Sequence, residues 1–431
     1  MEVTQKIEIS DEKAAIFKEA ANKFGTPVYC YFEDEIIESM NKLMEFPAPY
    51  GLTIRFAMKA NPNMAILKLF DKLGAHIDAG SSYEAYRAIM GAGINASYIR
   101  LTGQLVPEEN SLEDLVNLGV HFTACSLTQL ELYGRLFPGT EVGIRFNIGI
   151  GSGGTKKTTT GGPDASFGIY EQGNEIDKLL AEYGLRLETI HMHIGSGSDP
   201  EKQIEADKKV MELVKYYGLV KTLNIGGGFK VARMPYEKST DILEIGSVVS
   251  AELQRFYQET GRKIHLEIEP GTYAIANAGY IIARVNDIIS TNHNCKDGHV
   301  FIKSNSGMTE NTRVSLYGAQ HPMSIIPMNG EIRGTKEYVV SGPCCESGDV
   351  LTVKPNNPEE IIPRKFTEAR RGDLLVIGGC GAYCSSMSTA NYNSYPKPAE
   401  VLVRNNGRMD LIRIQQASQK MWEDERMPGD L

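Results

Sequence analysis

Eight short apolar runs, separated by seven stretches of helical spacing, limit what this chain can fold into more than any other feature of it. The runs fall at 52–58, 75–79, 97–102, 121–125, 142–147, 189–194, 222–225 and 264–268. Between them, 64–73, 82–90, 111–118, 127–136, 172–183, 201–217 and 240–260 read as helices by spacing and length. Strands joined in this way must lie parallel, because a helix-length crossover returns the chain to the same end of the sheet. Eight such strands over about 220 residues fit a closed, TIM-like (β/α)8 barrel. A doubly wound open sheet more often has fewer strands and a phosphate-binding glycine loop after the first of them.

Both flanks of this pattern differ from it. A helix at 11–24, a strand at 27–32 and a second helix at 33–46 precede the first barrel strand. Past residue 280 the rhythm becomes that of an all-β domain, with runs at 281–290, 299–303, 338–341, 349–353, 374–377, 400–403 and 411–414. Turn signals such as Asn329-Gly330 and Asn406-Gly407 divide them, and a helix is expected only at 415–424. A chain of 431 residues exceeds one ordinary core. The expected division is an N-terminal segment, 1–35, associated with the β domain, then a barrel over 36–280 and the C-terminal β domain over 281–431.

A net charge of −9 argues against a nucleic-acid partner, which would call for a basic stripe. No apolar run reaches the length of a membrane span. The first residues lack a signal pattern, so the expected location is cytoplasmic. Cys30, Cys125, Cys295, Cys344, Cys345, Cys380 and Cys384 have neither disulfide-framework nor zinc-site spacing. Most are expected to be buried and reduced, and no metal is expected.

In a barrel, chemistry gathers at the C-terminal ends of the strands. The first run ends at Lys59, before Asn61-Pro62 breaks the strand. The plain alternative for such a lysine is a solvated loop residue. The second run carries Asp78 and the fifth Arg145. The sixth holds His191 and His193, read as facing the same way on one strand, followed by Gly195-Ser196-Gly197. The seventh leads into Gly226-Gly227-Gly228, and the eighth ends in Glu267, Glu269, Pro270 and Gly271. Three successive glycines after an apolar strand expose backbone N–H groups suited to phosphate. Packing does not require so many polar and glycine residues at one end, whereas a cofactor site does. Gly149-Ile-Gly-Ser-Gly-Gly154 matches GxGxxG formally, but the polar stretch after it cannot open a packing helix.

The motifs Phe56-Ala-Met-Lys-Ala-Asn61, His193-Ile-Gly-Ser-Gly197, Asn224-Ile-Gly-Gly-Gly-Phe229, Glu269-Pro-Gly271, Cys344-Cys-Glu-Ser-Gly-Asp349 and Gly381-Ala-Tyr-Cys384 follow one another over almost the whole chain. In this order the chain resembles the fold-type III pyridoxal-phosphate decarboxylases, the diaminopimelate and ornithine decarboxylase family. The resemblance implies a two-domain, alanine racemase-like arrangement. It implies that Lys59 holds pyridoxal 5'-phosphate covalently, that Glu269 pairs with the pyridine nitrogen, and that His193 stacks on the ring. Ser196, Gly226, Gly227, Gly228 and Tyr383 would hold the phosphate, with Gly271 beside them. Asp78 and Arg145 would support Lys59 and the ring.

The same resemblance implies a homodimer whose active sites lie at the interface. Cys345 would donate a proton after carbon dioxide leaves, and Glu346 would bind a distal ammonium of an amino-acid substrate. Arg313 and Tyr317 would hold a distal carboxylate, with Tyr383 also on the substrate side. The expected reaction is most like meso-diaminopimelate to L-lysine. Decarboxylation of another basic or dicarboxylic amino acid is the alternative, ahead of an amino-acid racemase or a non-catalytic regulator. Thr272 stands where the family usually has arginine, Val314 where it has proline, and Ser166 where it has lysine.

Overall fold

The computed structural model describes residues 9–170, 174–197, 199–292 and 297–431. Cys295 and the expected helix start at Gln172 lie outside the described residues. The chain divides into two compact units. One comprises Ile37–Val231 and Lys238–Ala274, the other Met1–Ile36, Ala232–Glu237 and Ile275–Leu431.

The chain opens with α1 (Asp11–Phe24), β1 (Val28–Phe32) and α2 (Glu33–Met44). Next come β2 (Leu52–Ala57), α3 (Met64–Lys72), β3 (His76–Ala79), α4 (Ser82–Tyr86), β4 (Ile99–Leu101), α5 (Glu109–Asn117), β5 (His121–Ala124), α6 (Leu127–Leu136) and β6 (Glu141–Asn147). They are followed by β7 (Ile169–Tyr170), α7 (Glu175–Tyr183), β8 (Arg186–His191), α8 (Pro200–Tyr216), β9 (Thr222–Asn224), α9 (Ile242–Thr260), β10 (His265–Ile268) and α10 (Thr272–Ile275). Strands β2, β3, β4, β5, β6, β8, β9 and β10 pair in parallel and close on themselves, β5 against β6 and β10 against β2. The barrel read from the alternating pattern is thus present, with β7 as a short addition beside β6.

Local chemistry starts the crossover helices. Asn63, Ser81, Ser126, Asp199 and Asp241 each accept a hydrogen bond from a first-turn amide of α3, α4, α6, α8 and α9. One strand needs correction: β8 runs Arg186–His191, so His193 stands beyond its end and does not share its pleat with His191.

A charged layer fills part of the barrel interior. Glu267 Oε1 accepts from Arg55 Nη2 at 2.6 Å, and its Oε2 lies 3.2 Å from Arg100 Nε. Gly143 makes room for this layer, since a Cβ there would stand 2.7 Å from Thr123 Oγ1 and 3.2 Å from Arg100 Nη1. Burial alone would raise the Glu267 carboxyl, but Arg100 and Arg55 overcome it and bring it down to about 2. Its contribution to stability is therefore full above the unfolded value of roughly 4.3 and is lost as pH falls through the folded value. Glu267→Ala would leave two buried guanidiniums without their anion. It is expected to lower the unfolding free energy by about 3–5 kcal/mol in urea titrations at neutral pH. A loss below about 1 kcal/mol would mean that both arginines find other partners.

The second unit adds β11 (Gly279–Ser290), β12 (Val300–Ser304), α11 (Thr312–Tyr317), β13 (Met323–Ile326), β14 (Thr335–Ser341), β15 (Val353–Lys354), β16 (Asn357–Ile361), β17 (Arg364–Thr367), β18 (Leu374–Ile377), β19 (Ala399–Val403) and β20 (Met409–Arg413). Its main sheet runs β17-β14-β12-β11-β1-β19-β20, and β18 joins β11 to β13. Strand β1, from the start of the chain, lies inside this sheet, antiparallel to β11 and parallel to β19. Val28, Cys30 and Phe32 of β1 pack with Phe17, Ala20 and Ala21 of α1 in the same core.

Two expectations for this unit fail. The run at 349–353 is mostly irregular, with an isolated bridge between Ser341 and Val350, and the strand is only Val353–Lys354. The helix expected at 415–424 is reduced to a single 3-10 turn, Ser418–Met421, in a largely exposed segment. Its residues have adequate propensity, but so short a helix needs a buried face to persist. Helix α11 and strands β13, β16 and β17 are additional to the sequence reading.

Candidate active site

Lys59 occupies a 3-10 turn, Met58–Ala60, directly after β2. Asn61-Pro62 and the Asn63 cap then redirect the chain into α3. The Ala57 amide donates to Pro270 O at 3.1 Å, which draws the Glu269-Pro270-Gly271 turn alongside. Lys59 Nζ lies 3.5 Å from Asp78 Oδ2, with the lysine side chain half exposed and the aspartate 3% exposed. Burial pushes the Asp78 carboxyl up to about 7; Glu269 adds to this, while Lys59 and Arg145 oppose it.

Glu269 is held from two sides. Asn224 Nδ2 donates to its Oε1 at 2.7 Å and to Glu267 Oε2 at 3.1 Å, which links it to the charged layer below. His191 Nε2 lies 3.2 Å from Glu269 Oε2. Burial would raise the Glu269 carboxyl, yet His191, Lys59 and His193 bring it below the ordinary carboxylate range. Burial also lowers His191, so that ring is not a full cation. The Asn224 hydrogen bond and the Lys59 charge favour the carboxylate in either case, and Glu269 is read as ionised.

The glycine run closes against these groups. Gly226 has φ +70°, its carbonyl accepts from the Glu269 amide at 2.8 Å, and a Cβ on it would lie 3.0 Å from His193 Nδ1. On Gly227 a Cβ would stand 2.1 Å from Glu269 O. The Gly228 carbonyl accepts from the Gly197 amide at 3.0 Å, bringing the segment with Ser196 alongside. Arg145 reaches the His193 backbone, its Nη2 3.5 Å from the His193 carbonyl. Burial holds the His193 imidazole well below its usual value, with Arg145 and Lys59 adding, so the ring is neutral. The loop from 149 to 162 is tied to this segment: Ser152 and Thr160 amides donate to Ile194 O, and Gly154 N to Ser196 O. Lys59, Asp78, Arg145, His193, Ser196, Gly226, Gly227, Gly228, Glu269 and Gly271 therefore gather at one end of the barrel.

The remaining candidates belong to the second unit, where they form their own neighbourhood. Arg313 and Tyr317 lie on α11. Ser315 Oγ donates to Gly348 O at 2.9 Å, joining α11 to the turn that carries Cys345 and Glu346. Asp349 fixes that turn by accepting from the Met308 and Cys344 amides at 2.6 and 2.9 Å. Cys345 is exposed, and its amide donates to Asn393 Oδ1 at 2.9 Å. Glu346 accepts from the Gly348 amide at 3.2 Å. Tyr383 has a left-handed backbone, φ +58°, in the loop after β18.

Asn224, His191, Glu267, Arg55 and Arg100 form the support for this site. Of these, only Glu267 and His191 stood out in the sequence, as strand-end residues. A charge in the middle of an apolar strand, as in Leu52-Thr-Ile-Arg55-Phe-Ala57, is the signal that marks such a layer. Asn224, two residues before the glycine run, has no comparable mark.

Residues 33–276 match the family described as "Pyridoxal-dependent decarboxylase, pyridoxal binding domain". A diaminopimelate decarboxylase of Streptomyces coelicolor is 33% identical over 419 residues, spanning 95% of this chain and 91% of that protein. One from Escherichia coli K12 is 32% identical over 410 residues, 93% of each. A crystal structure of a diaminopimelate decarboxylase superimposes with a TM-score of 0.88 at 31% identity, over 97% of this chain and 99% of that one.

Proposed function

Because the chain belongs to the pyridoxal-dependent decarboxylases, we propose that it removes carbon dioxide from meso-diaminopimelate to give L-lysine. The observation that carries this reading is the placement of Lys59 beside Asp78, with Glu269 and His193 closing around the glycine run. Its cofactor is pyridoxal phosphate.

The residues present fit that group. Asp78 Oδ1 and His193 Nδ1 are buried without a hydrogen-bond partner, so the protein leaves polar capacity unspent where a ring with polar substituents would lie. Bound there, pyridoxal phosphate supplies an electron sink for the pair left when the carboxylate departs. Lys59 would be the attachment point, and its Nζ can give up or take a proton. Glu269, kept anionic and oriented by Asn224, would pair with a protonated ring nitrogen. His193, neutral and buried, would offer its face to the ring. Ser196 and the Gly226–Gly228 amides would take the phosphate, as backbone donors in glycine turns do. In the second unit, Cys345 would supply the proton to the substrate carbon, Glu346 would meet the distal ammonium, and Arg313 and Tyr317 the distal carboxylate, while Tyr383 would serve the phosphate and the substrate.

The active form in this reading is a homodimer in which one copy's Cys345 serves the other's Lys59. A cytoplasmic location belongs to the same reading; among the described residues no helix is long and apolar enough to cross a membrane.

A carbon-dioxide release assay on purified, cofactor-loaded protein tests the substrate. Meso-diaminopimelate is expected to react fastest among meso-diaminopimelate, L- and D-lysine, ornithine and arginine. Release from ornithine with none from diaminopimelate would replace the substrate and keep the reaction class. Interconversion of enantiomers without carbon dioxide would replace decarboxylation by racemisation.

A further inference from the structure

Asn224, the last residue of β9, is fully buried in the middle of one row of side chains inside the barrel. In the strand registers Arg145 of β6 lies opposite His191 of β8, His191 opposite Asn224, and Asn224 opposite Glu267 of β10. Residues opposite one another on paired strands point to the same face of the sheet, so these four share a layer.

The Asn224 amide is used at both ends. Its Nδ2 donates to Glu269 Oε1 at 2.7 Å and to Glu267 Oε2 at 3.1 Å, one proton for each carboxylate. Its Oδ1 accepts from the Gly226 amide at 2.8 Å. Turned over, the amide would set its oxygen against two carboxylates and its N–H groups against another N–H. Only the first orientation is compatible with the surroundings.

The two carboxylates are not equivalent. Glu267 is already matched by Arg55 Nη2 at 2.6 Å and by Arg100 Nε at 3.2 Å. Glu269 rests on Asn224 at one oxygen and on His191 Nε2, 3.2 Å away, at the other. Without the Asn224 protons, two buried carboxylates would border the same space with no donor between them. The one held by two arginines would keep its charge and place. Glu269 would be the one to turn away or take a proton.

We propose that Asn224 is a positioning residue that fixes the charge and direction of Glu269 toward the ring nitrogen of the cofactor, and that its position requires an amide. An aspartate has the same shape and keeps an acceptor for the Gly226 amide, but it lacks the donor and adds a third carboxylate. The proposal deepens the cofactor reading and rests on it in one respect, the pairing of Glu269 with the ring nitrogen.

The test compares wild type, Asn224→Ala and Asn224→Asp as full-length enzyme loaded with pyridoxal phosphate or with its 1-deaza analogue, in which C–H replaces the ring nitrogen. Equilibrium dialysis gives the two dissociation constants. Wild type is expected to hold pyridoxal phosphate about tenfold or more tighter than the analogue. In both variants that preference should shrink to within about threefold. In Asn224→Asp the analogue should bind within about threefold of wild type, because the Gly226 amide keeps its acceptor. With pyridoxal phosphate, kcat on meso-diaminopimelate should fall about tenfold or more in both variants while KM stays within about threefold.

A wild-type preference retained by either folded variant would overturn the proposal. So would Asn224→Asp matching wild type while Asn224→Ala fails, since the role would then be to cap the glycine turn. A wild type that holds both cofactors equally would also overturn it. If Asn224→Asp does not fold, by its melting curve, Asn224→Ala with the two cofactors decides alone. The dialysis arm needs no turnover. Loss of the preference in the variants, with no carbon dioxide released from meso-diaminopimelate by wild type, would reject the substrate reading and keep this one.

Discussion

Lys59→Ala is expected to lower decarboxylation by about a thousandfold or more while leaving the protein folded, because in the proposed reading the side chain would be the covalent handle of the site and is not part of a core. The side chain is half exposed and leaves no cavity when shortened. Its removal takes the cation from beside Asp78, whose carboxyl is already pushed up to about 7 by burial and can take a proton in place of its partner. The thermal midpoint should therefore stay close to that of wild type. Carbon-dioxide release measures the loss, and the visible absorbance of lysine-bound cofactor should vanish with it. A folded Lys59→Ala protein that kept more than about a tenth of the activity would remove Lys59 from the chemistry.

Cys345→Ala is the second large effect. A positioned acid contributes about 10² to 10⁴ in rate, and kcat is expected to fall within that range with little change in KM. In the proposed reading Cys345 would act after the bond to the carboxylate has broken, so substrate binding should not depend on it. The thiol is exposed, while Cys30, Cys125, Cys344, Cys380 and Cys384 are buried. Brief alkylation should therefore reproduce the loss in wild type and do nothing more to Cys345→Ala. The backbone of the turn is fixed by Asp349 and Asn393, which accept from the Met308, Cys344 and Cys345 amides. A structural explanation of the loss would need a lowered melting temperature.

Mixing the two variants tests the shared site. Random reassociation of Lys59→Ala with Cys345→Ala should restore up to about a quarter of wild-type activity if each site takes one residue from each copy. If mixing restores nothing while both variants dimerise, each copy uses its own cysteine.

The barrel was legible because its signal is repetitive and local. Apolar runs of strand length and helices with capping residues such as Asn63 and Ser126 recur with little dependence on what they pack against. The ends of the strands then collected Lys59, Asp78, Glu269 and the glycines from positions scattered over some two hundred residues, because parallel strands bring all their C-terminal ends to one side. His193 shows where this fails. Two residues of register moved it off the strand, since pairing of β8 with β6 and β9 stops at His191. The β unit was legible in outline only. Strand β16 reads Asn357-Pro-Glu-Glu-Ile361, with little β propensity, and it forms because β15 pairs with it. The C-terminal helix failed for the converse reason, propensity without a buried face.

Sequence by itself determined the barrel, the β character of the second unit and the residue types of the cofactor site, for these depend on period, length and order along the chain. Only the tertiary structure decided which charges compensate one another. Glu267 is spent on Arg55 and Arg100, and Glu269 is held by Asn224. Arg233 Nη2, Arg313 Nε and Arg364 Nε are buried without a hydrogen-bond partner. Charge balance at a site is set by distance and burial, and residues remote in the chain acquire both only when the fold closes.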